Sequence, residues 1–172
     1  MDIEKEKISE MIQRTLVLVK PDGVSRHLVG EIIKRFEQRG IKIIGLKMLK
    51  SDSKKAAVHY NEEIEKRYGR DVRNRLIEYI NEGPIVALAL EGIDCVNVAR
   101  KICGSTYPNE AAIGTIRGDF AHMSKDYANQ NLKNVKNLVH ASGNLEEAKT
   151  EIKIWFKEDE LYSYDVDHDK YV

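Results

Sequence analysis

The sequence is poor in the residues that mark specialised protein classes. Cysteine occurs twice, proline three times and tryptophan once in 172 residues. Two cysteines cannot build the disulfide framework of a small secreted scaffold. Cys95 and Cys103 both fall on one expected helix, which sets them about 12 Å apart along its axis. A disulfide reaches only about 7 Å between Cα atoms. Neither belongs to a C-x-x-C pair, so both are read as buried thiols rather than redox or metal ligands. No apolar run approaches the roughly 18–20 residues of a membrane span. The opening Met1-Asp2-Ile3-Glu4-Lys5-Glu6-Lys7 alternates in charge and lacks the apolar stretch of a signal peptide. Residues 1–13 are read as a polar extension, and a cytoplasmic location is expected. Charge of one sign is not in excess either: 28 basic residues face 28 acidic ones. That balance argues against nucleic acid or an anionic membrane as the primary ligand. It leaves room for a small basic cleft, which a total cannot see.

What is present is enough for a folded domain. Hydrophobic residues make up 42% and charged residues 33%, which gives a sizeable core under a densely charged surface. The length falls within the roughly 100–200 residues of one domain, and residues 14–172 are read as one. Thr15-Leu16-Val17-Leu18-Val19 is an apolar run that suits a strand buried on both faces. Lys20-Pro21-Asp22-Gly23 ends it with turn chemistry. Val29, Ile32, Ile33 and Phe36 recur at helical spacing up to Gly40. A second strand is expected over residues 41–48, then a short helix capped by Ser51 or Ser53. Residues 61–75 are charge-rich with no assigned element; Leu76, Ile77 and Ile80 give a helix stopped at Gly83-Pro84. Ile85 to Leu90 is a third strand, and a helix capped by Asp94 follows. Residues 104–119 and 121–136 lack apolar periodicity and are read as loops. Asn137-Leu138-Val139-His140 is a fourth strand, Asn144-x-x-Glu147 a capping box, and Leu145 to Trp155 the last helix. The acidic tail is read mostly as loop. This order favours an α+β fold: a ferredoxin-like βαββαβ sandwich with a four-stranded antiparallel sheet covered by helices. A doubly wound parallel sheet is the alternative.

Chemistry-bearing patterns are few. Neither G-x-x-x-x-G-K-[ST] nor G-x-G-x-x-G occurs, so the common glycine-rich phosphate cradles are absent. The histidines at 27, 59, 122, 140 and 168 never stand at i, i+4, and no metal-ligand spacing is found. His140 closes an apolar strand and precedes the small residues Ala141-Ser142-Gly143. It is open to a substrate as base or nucleophile, although a half-buried, hydrogen-bonded histidine would look the same. Gly114-Thr115-Ile116-Arg117-Gly118-Asp119 lets a backbone approach a ligand and offers Arg117 to phosphate oxygens. A surface loop with an Arg–Asp pair is the plainer reading. Lys20 at the end of a buried strand and Arg100 on an apolar helix are further cations that could equally be surface charges.

Taken together the segments resemble the nucleoside diphosphate kinase family. Arg14-Thr15-Leu16 with Lys20-Pro21-Asp22-Gly23-Val24, and Leu28-Val29-Gly30-Glu31-Ile32-Ile33-Lys34-Arg35-Phe36-Glu37, match its opening strand, turn and first helix. His59-Tyr60, Gly83-Pro84, Glu91-Gly92 and Gly114-Thr115-Ile116-Arg117-Gly118-Asp119-Phe120 follow in the family's order. Asn137-Leu138-Val139-His140-Ala141-Ser142 resembles the signature around the phosphorylated histidine, and Glu151, Trp155-Phe156 and Glu160-Leu161 complete a match over roughly residues 14–161. The resemblance implies ping-pong transfer of the γ-phosphoryl of a nucleoside triphosphate to a nucleoside diphosphate. His140 would be the nucleophile, and Glu151 would fix its tautomer. Lys20, Arg100, Thr106 and Arg117 would bind phosphates, with Lys20 and Asn137 also touching ribose hydroxyls. Tyr60 would steady the γ-phosphate, and Val72 and Leu76 would pack on the base. It further implies Mg²⁺ bridging the nucleotide phosphates with few or no protein ligands, and a homo-oligomer, most readily a hexamer.

The chain departs from the family pattern in three places. Gly143 stands where the family usually has an aspartate associated with metal-bound water. The base-stacking phenylalanine has no clear counterpart between Tyr60 and Leu76. Residues 121–136 form an insertion that would cover the site or meet a neighbouring subunit. There is also an internal conflict: on a regular strand, Asn137 and His140 point to opposite faces. A bend near Leu138 is expected to bring both to one ligand. Two other functions fit parts of the sequence. An RNA-binding sheet is disfavoured because aromatics are scarce on the strands. An inert homologue gains weight only from Gly143, since His140 and Glu151 both remain.

Overall fold

A computed structural model describes residues 11–171. The first ten residues of the expected polar extension lie outside the described residues. β1 (Ile12–Val19) begins inside that extension, because Ile12 still finds a partner in Ile93 across the ladder. Leu16, Val17, Leu18 and Val19 are each 0% exposed, so both faces of this strand are covered.

The one-turn α1 (Pro21–Ser25) replaces the expected turn. Proline supplies the helical φ at its first position and lacks the N–H that would be unsatisfied there. The chain then runs through α2 (Val29–Glu37), β2 (Lys42–Lys50) and α3 (Ser53–His59). α3 is capped by Asp52, whose carboxylate accepts from Lys55 N at 2.8 Å, and not by Ser51 or Ser53. The charge-rich segment is helical: α4 (Glu62–Tyr68) and α5 (Arg70–Asn81) meet at Gly69. Asn61 caps α4, and glutamates in its first turn with Lys66 and Arg67 in its last complement the helix dipole. β3 (Pro84–Ile93) and α6 (Cys95–Cys103) follow, with both cysteines buried and free. The two expected loops carry short helices, α7 (Ile116–Phe120) and α8 (Lys125–Gln130), capped by Thr115 and Ser124. β4 is Val139–Ala141, and α9 (Leu145–Trp155) starts from the Asn144 cap, which accepts from Glu147 N at 2.9 Å.

The sheet order is β2-β3-β1-β4, every pair antiparallel. This is the ferredoxin-like βαββαβ arrangement. Val17 and Val19 join Ile32, Phe36, Leu88 and Ala99 in the core beneath α2 and α6. Leu16 and Leu18 join Ile80, Ala87, Ile152 and Trp155 beneath α5 and α9. The tail runs along β2, where Tyr162 N donates to Ile44 O at 2.7 Å and the Tyr164 hydroxyl to Ile43 O at 2.6 Å. No helix among the described residues is long and apolar enough to cross a membrane.

Candidate active site

The site is built around a turn that no regular strand would make. Val139 N donates to Asn137 O at 2.7 Å across Leu138, whose φ is +68°. This tight three-residue turn is the bend expected near Leu138. It lets Asn137 and His140 line one cavity. A left-handed leucine is strained, and the neighbours hold it. Lys20 N donates to Leu138 O at 2.8 Å, and Leu138 N donates to Asp22 Oδ2 at 3.1 Å. Asp22 Oδ1 accepts the Tyr79 hydroxyl at 2.6 Å, and that hydroxyl oxygen accepts Asn137 N at 3.2 Å. Gly23 permits the close approach: a Cβ there would stand 2.7 Å from Val19 Cγ1 and 3.1 Å from Leu138 O.

Arg117 binds the turn to the loop after α6. Its guanidinium donates to Val139 O at 2.7 Å, Asn137 O at 3.2 Å, Gly104 O at 2.7 Å and Ser105 O at 3.3 Å. The buried guanidinium thus stabilises the shape of the site as well as its charge.

The cavity has a volume of about 410 Å³. Lys20, Tyr60, Leu76, Arg100, Thr106, Arg117, Asn137 and His140 all line it. No carboxylate among the described residues does. Lys20 Nζ donates to Asn137 Oδ1 at 2.8 Å. Burial lowers its pKa to about 7, and the neighbouring Arg117 charge adds to the effect. The Tyr60 hydroxyl is buried without a hydrogen-bond partner, so it is available to a ligand oxygen. Val72 differs from the rest. It sits half-buried on α5, one turn before Leu76, and does not line the cavity.

Glu151 stands behind His140, on α9. Its two oxygens accept from His140 Nε2 at 3.1 and 2.9 Å, and Oε2 also accepts the Ser142 hydroxyl at 2.6 Å. Burial opposes its ionisation, but the His140 charge and hydrogen bond outweigh burial and hold its pKa at about 2. With Nε2 engaged, Nδ1 is the ring nitrogen left for the cavity. His59 carries no role in the sequence, where it is one of five scattered histidines and stands beside Tyr60. It is buried against this pair: its ring centroid lies 4.4 Å from that of His140. Nothing local in the sequence marks it, because its partners come from β4 and α9.

The three departures take these forms. Gly143 N donates to Glu147 Oε2 at 3.0 Å, and a Cβ at Gly143 would stand 2.5 Å from that oxygen. Glu147 therefore occupies the space an aspartate side chain would enter, and it does not line the cavity. The 121–136 segment also stays off the cavity wall. It packs beside it, with Asn134 Nδ2 donating to Arg75 O at 2.8 Å and Met123 O accepting Asn109 N at 3.4 Å. The aliphatic part of the cavity lining comes from Leu76, Val139 and Ala141.

Because Glu151 is held below its ordinary value, its ionised form stabilises the fold above about pH 4.5. That contribution is lost as the pH falls towards about 2. Glu151→Gln should lack this dependence. In urea titrations the stability gap between wild type and variant is expected to narrow from about pH 6 to about pH 3; a gap constant over that range would contradict it.

Comparison with known proteins gives one answer. The family profile described as "Nucleoside diphosphate kinase" matches residues 13–161. A nucleoside diphosphate kinase of Borreliella burgdorferi is 43% identical over 155 residues, 90% of this chain and 93% of the relative. One from Sulfurisphaera tokodaii is 49% identical over 150 residues, 87% of this chain and 92% of the relative. The Borrelia burgdorferi enzyme solved as a transition-state mimic with vanadate and ADP superposes with a TM-score of 0.91 at 42% identity, covering 93% of this chain and 96% of that one. The Halobacterium salinarum enzyme in complex with CDP gives 0.79 at 34% identity, covering 92% and 97%. With the family profile matching residues 13–161 and relatives 43% and 49% identical over about nine-tenths of its length, the chain belongs to the nucleoside diphosphate kinase family.

Proposed function

We propose that residues 14–172 act as one domain that moves the γ-phosphoryl of a nucleoside triphosphate to a nucleoside diphosphate through phosphohistidine at His140. The observation that carries this reading is the division of labour on the imidazole. Glu151 accepts the Nε2 proton, so the lone pair sits on Nδ1. Attack by Nδ1 on the γ-phosphorus forms the P–N bond as the bond to the β–γ bridging oxygen breaks. The nucleoside diphosphate leaves with that electron pair, and the Nε2 proton stays on the ring beside Glu151. A second diphosphate reverses the steps, and the labile P–N bond keeps transfer reversible.

The transferring group is anionic, and catalysis consists largely of positioning it and neutralising its charge. Lys20, Arg100 and Arg117 supply the cations and Thr106 a hydroxyl; Tyr60 offers its unpaired hydroxyl to the γ-phosphate. Asn137 and Lys20, already bonded to each other, are placed for ribose hydroxyls. Leu76 packs on the base, with Val72 behind it. Aliphatic packing discriminates weakly between bases, so broad nucleotide use is expected. Support comes from the ADP–vanadate and CDP complexes of the relatives. Magnesium enters as part of the nucleotide substrate, in keeping with a cavity lined by cations and free of carboxylates among the described residues. We read the protein as cytoplasmic and assembled as a homo-hexamer.

Incubation with γ-labelled ATP should give protein label that survives base and is lost in acid, and that passes to added nucleoside diphosphate. Absence of label, or label persisting in His140→Gln, would overturn the reading. A second outcome concerns Lys20, whose pKa near 7 must rise when phosphates bind beside it. Between about pH 7 and 9, ADP binding should take up protons. Calorimetry in buffers of different ionisation enthalpy measures this uptake, and Lys20→Met should abolish it; proton release would contradict the assignment.

A further inference from the structure

One group against His140 has no part in the reaction above. His59 ends α3, and its side chain is wholly buried. We propose that His59 is a positioning residue: it stands perpendicular to His140 and holds that ring with Nδ1 towards the cavity. The inference rests on the phosphohistidine reading.

A hydrogen bond at Nε2 fixes one atom of the His140 ring. It leaves the ring free to rock about the Nε2···carboxylate axis, and in-line attack tolerates little of that. A contact on the flank of the ring removes this freedom. His59 supplies it, with ring centroids 4.4 Å apart and planes at 81°. His59 is fixed in turn by Tyr60, centroid 4.7 Å away, and by Trp155, centroid 5.6 Å away.

The tautomer of His59 follows from Trp155. Its indole Nε1–H can only donate, and it lies 3.3 Å from His59 Nδ1. Nδ1 is therefore the acceptor, and the proton sits on Nε2. That places a lone pair, not a proton, on the nitrogen 3.6 Å from Glu151 Oε1. Glu151 keeps its hydrogen bonds for His140 and Ser142. Burial, reinforced by the His140 charge, lowers the His59 pKa to about 3, so no second cation competes for the carboxylate.

His59, His140 and Glu151 offer ligand atoms within 4.8 Å of one another, a spacing that a divalent cation could share. The indole N–H already takes the Nδ1 lone pair, so the trio is a hydrogen-bonded cluster and not a metal cage. The His59 Nε2–H is buried without a hydrogen-bond partner. An orphaned donor is costly, and phenylalanine would fill the same space without it. The imidazole brings what phenylalanine cannot, an acceptor for Trp155 together with a ring wall for His140.

Two variants separate these parts. His59→Asn keeps an acceptor near the Nδ1 position and removes the wall; His59→Phe keeps the wall and removes the acceptor. The rate of protein phosphorylation by γ-labelled ATP, ADP affinity and the ¹⁵N shifts of the His140 ring are measured for each. His59→Asn is expected to slow phosphorylation about tenfold or more with ADP affinity within about twofold. Its His140 ring should shift from a single Nε2–H tautomer towards averaging. His59→Phe should recover the rate to within about threefold of wild type. An unchanged rate and spectrum in His59→Asn, or equal losses in both variants, would overturn the proposal. Should His59→Asn not fold, the wild-type spectrum decides. His59 must keep its proton on Nε2, uncharged, between about pH 5 and 8; titration in that range would overturn the proposal. A wild type that forms no phosphoenzyme would instead sink the phosphohistidine reading.

Discussion

The site depends on one contact, the buried carboxylate of Glu151 against Nε2 of His140. It decides which nitrogen of the ring faces the cavity. The carboxylate is out of water, which by itself would favour protonation. The His140 ring and the Ser142 hydroxyl reverse that preference and keep it ionised. Ser142 Oγ also accepts Leu16 N at 3.4 Å, so the hydroxyl joins the carboxylate to the central strand. A loss at any of these positions would be felt as a change in ring orientation before it was felt as a loss of charge.

The second constraint is the turn at Leu138. It costs backbone strain, and the surroundings over-determine it through Asp22, Tyr79, Lys20 and Arg117. Arg117 shows how the cost is shared. It offers positive charge to the cavity while its N–H groups hold four carbonyls. The same side chain therefore shapes the pocket and charges it, so a drop in activity on its removal would mix the two effects. Lys20 is the cleaner reporter of charge, since its ammonium holds no backbone carbonyl: it donates to the Asn137 side chain and lies 4.8 Å from the Tyr79 ring centroid.

Much of the fold was legible in the sequence. The apolar run from Thr15 to Val19, the stop at Gly83-Pro84 and the Asn144 capping box each record a local physical need, and each stands where it was expected. Helix α4 and the first turns of α5 carry no such mark, because their faces are too charged to show an apolar period; only the second half of α5, with Leu76, Ile77 and Ile80, shows one. Their signal lay in the charges themselves, acidic at the start and basic at the end of α4. The site was legible as residue types but not as an assembly. Lys20 and Asn137 meet across 117 positions of chain, and nothing local announces such a meeting. The bend at Leu138 is an exception. The conflict between strand period and ligand geometry required it without any knowledge of the neighbours. Val72 went the other way: its spacing places it one turn from Leu76 on the same helix, yet Leu76 lines the cavity and Val72 does not.

The central claim is that the protein presents Nδ1, and not Nε2, to the phosphoryl group. It is tested by the nitrogen to which phosphorus becomes attached. Protein labelled with ¹⁵N in histidine and phosphorylated with ATP can be examined by ³¹P–¹⁵N correlated NMR. A phosphorus coupled to Nδ1 of His140, with Nε2 still protonated against Glu151, is the expected result. A phosphorus on Nε2 would contradict the account, because that nitrogen could be reached only by breaking the contact on which the site is built.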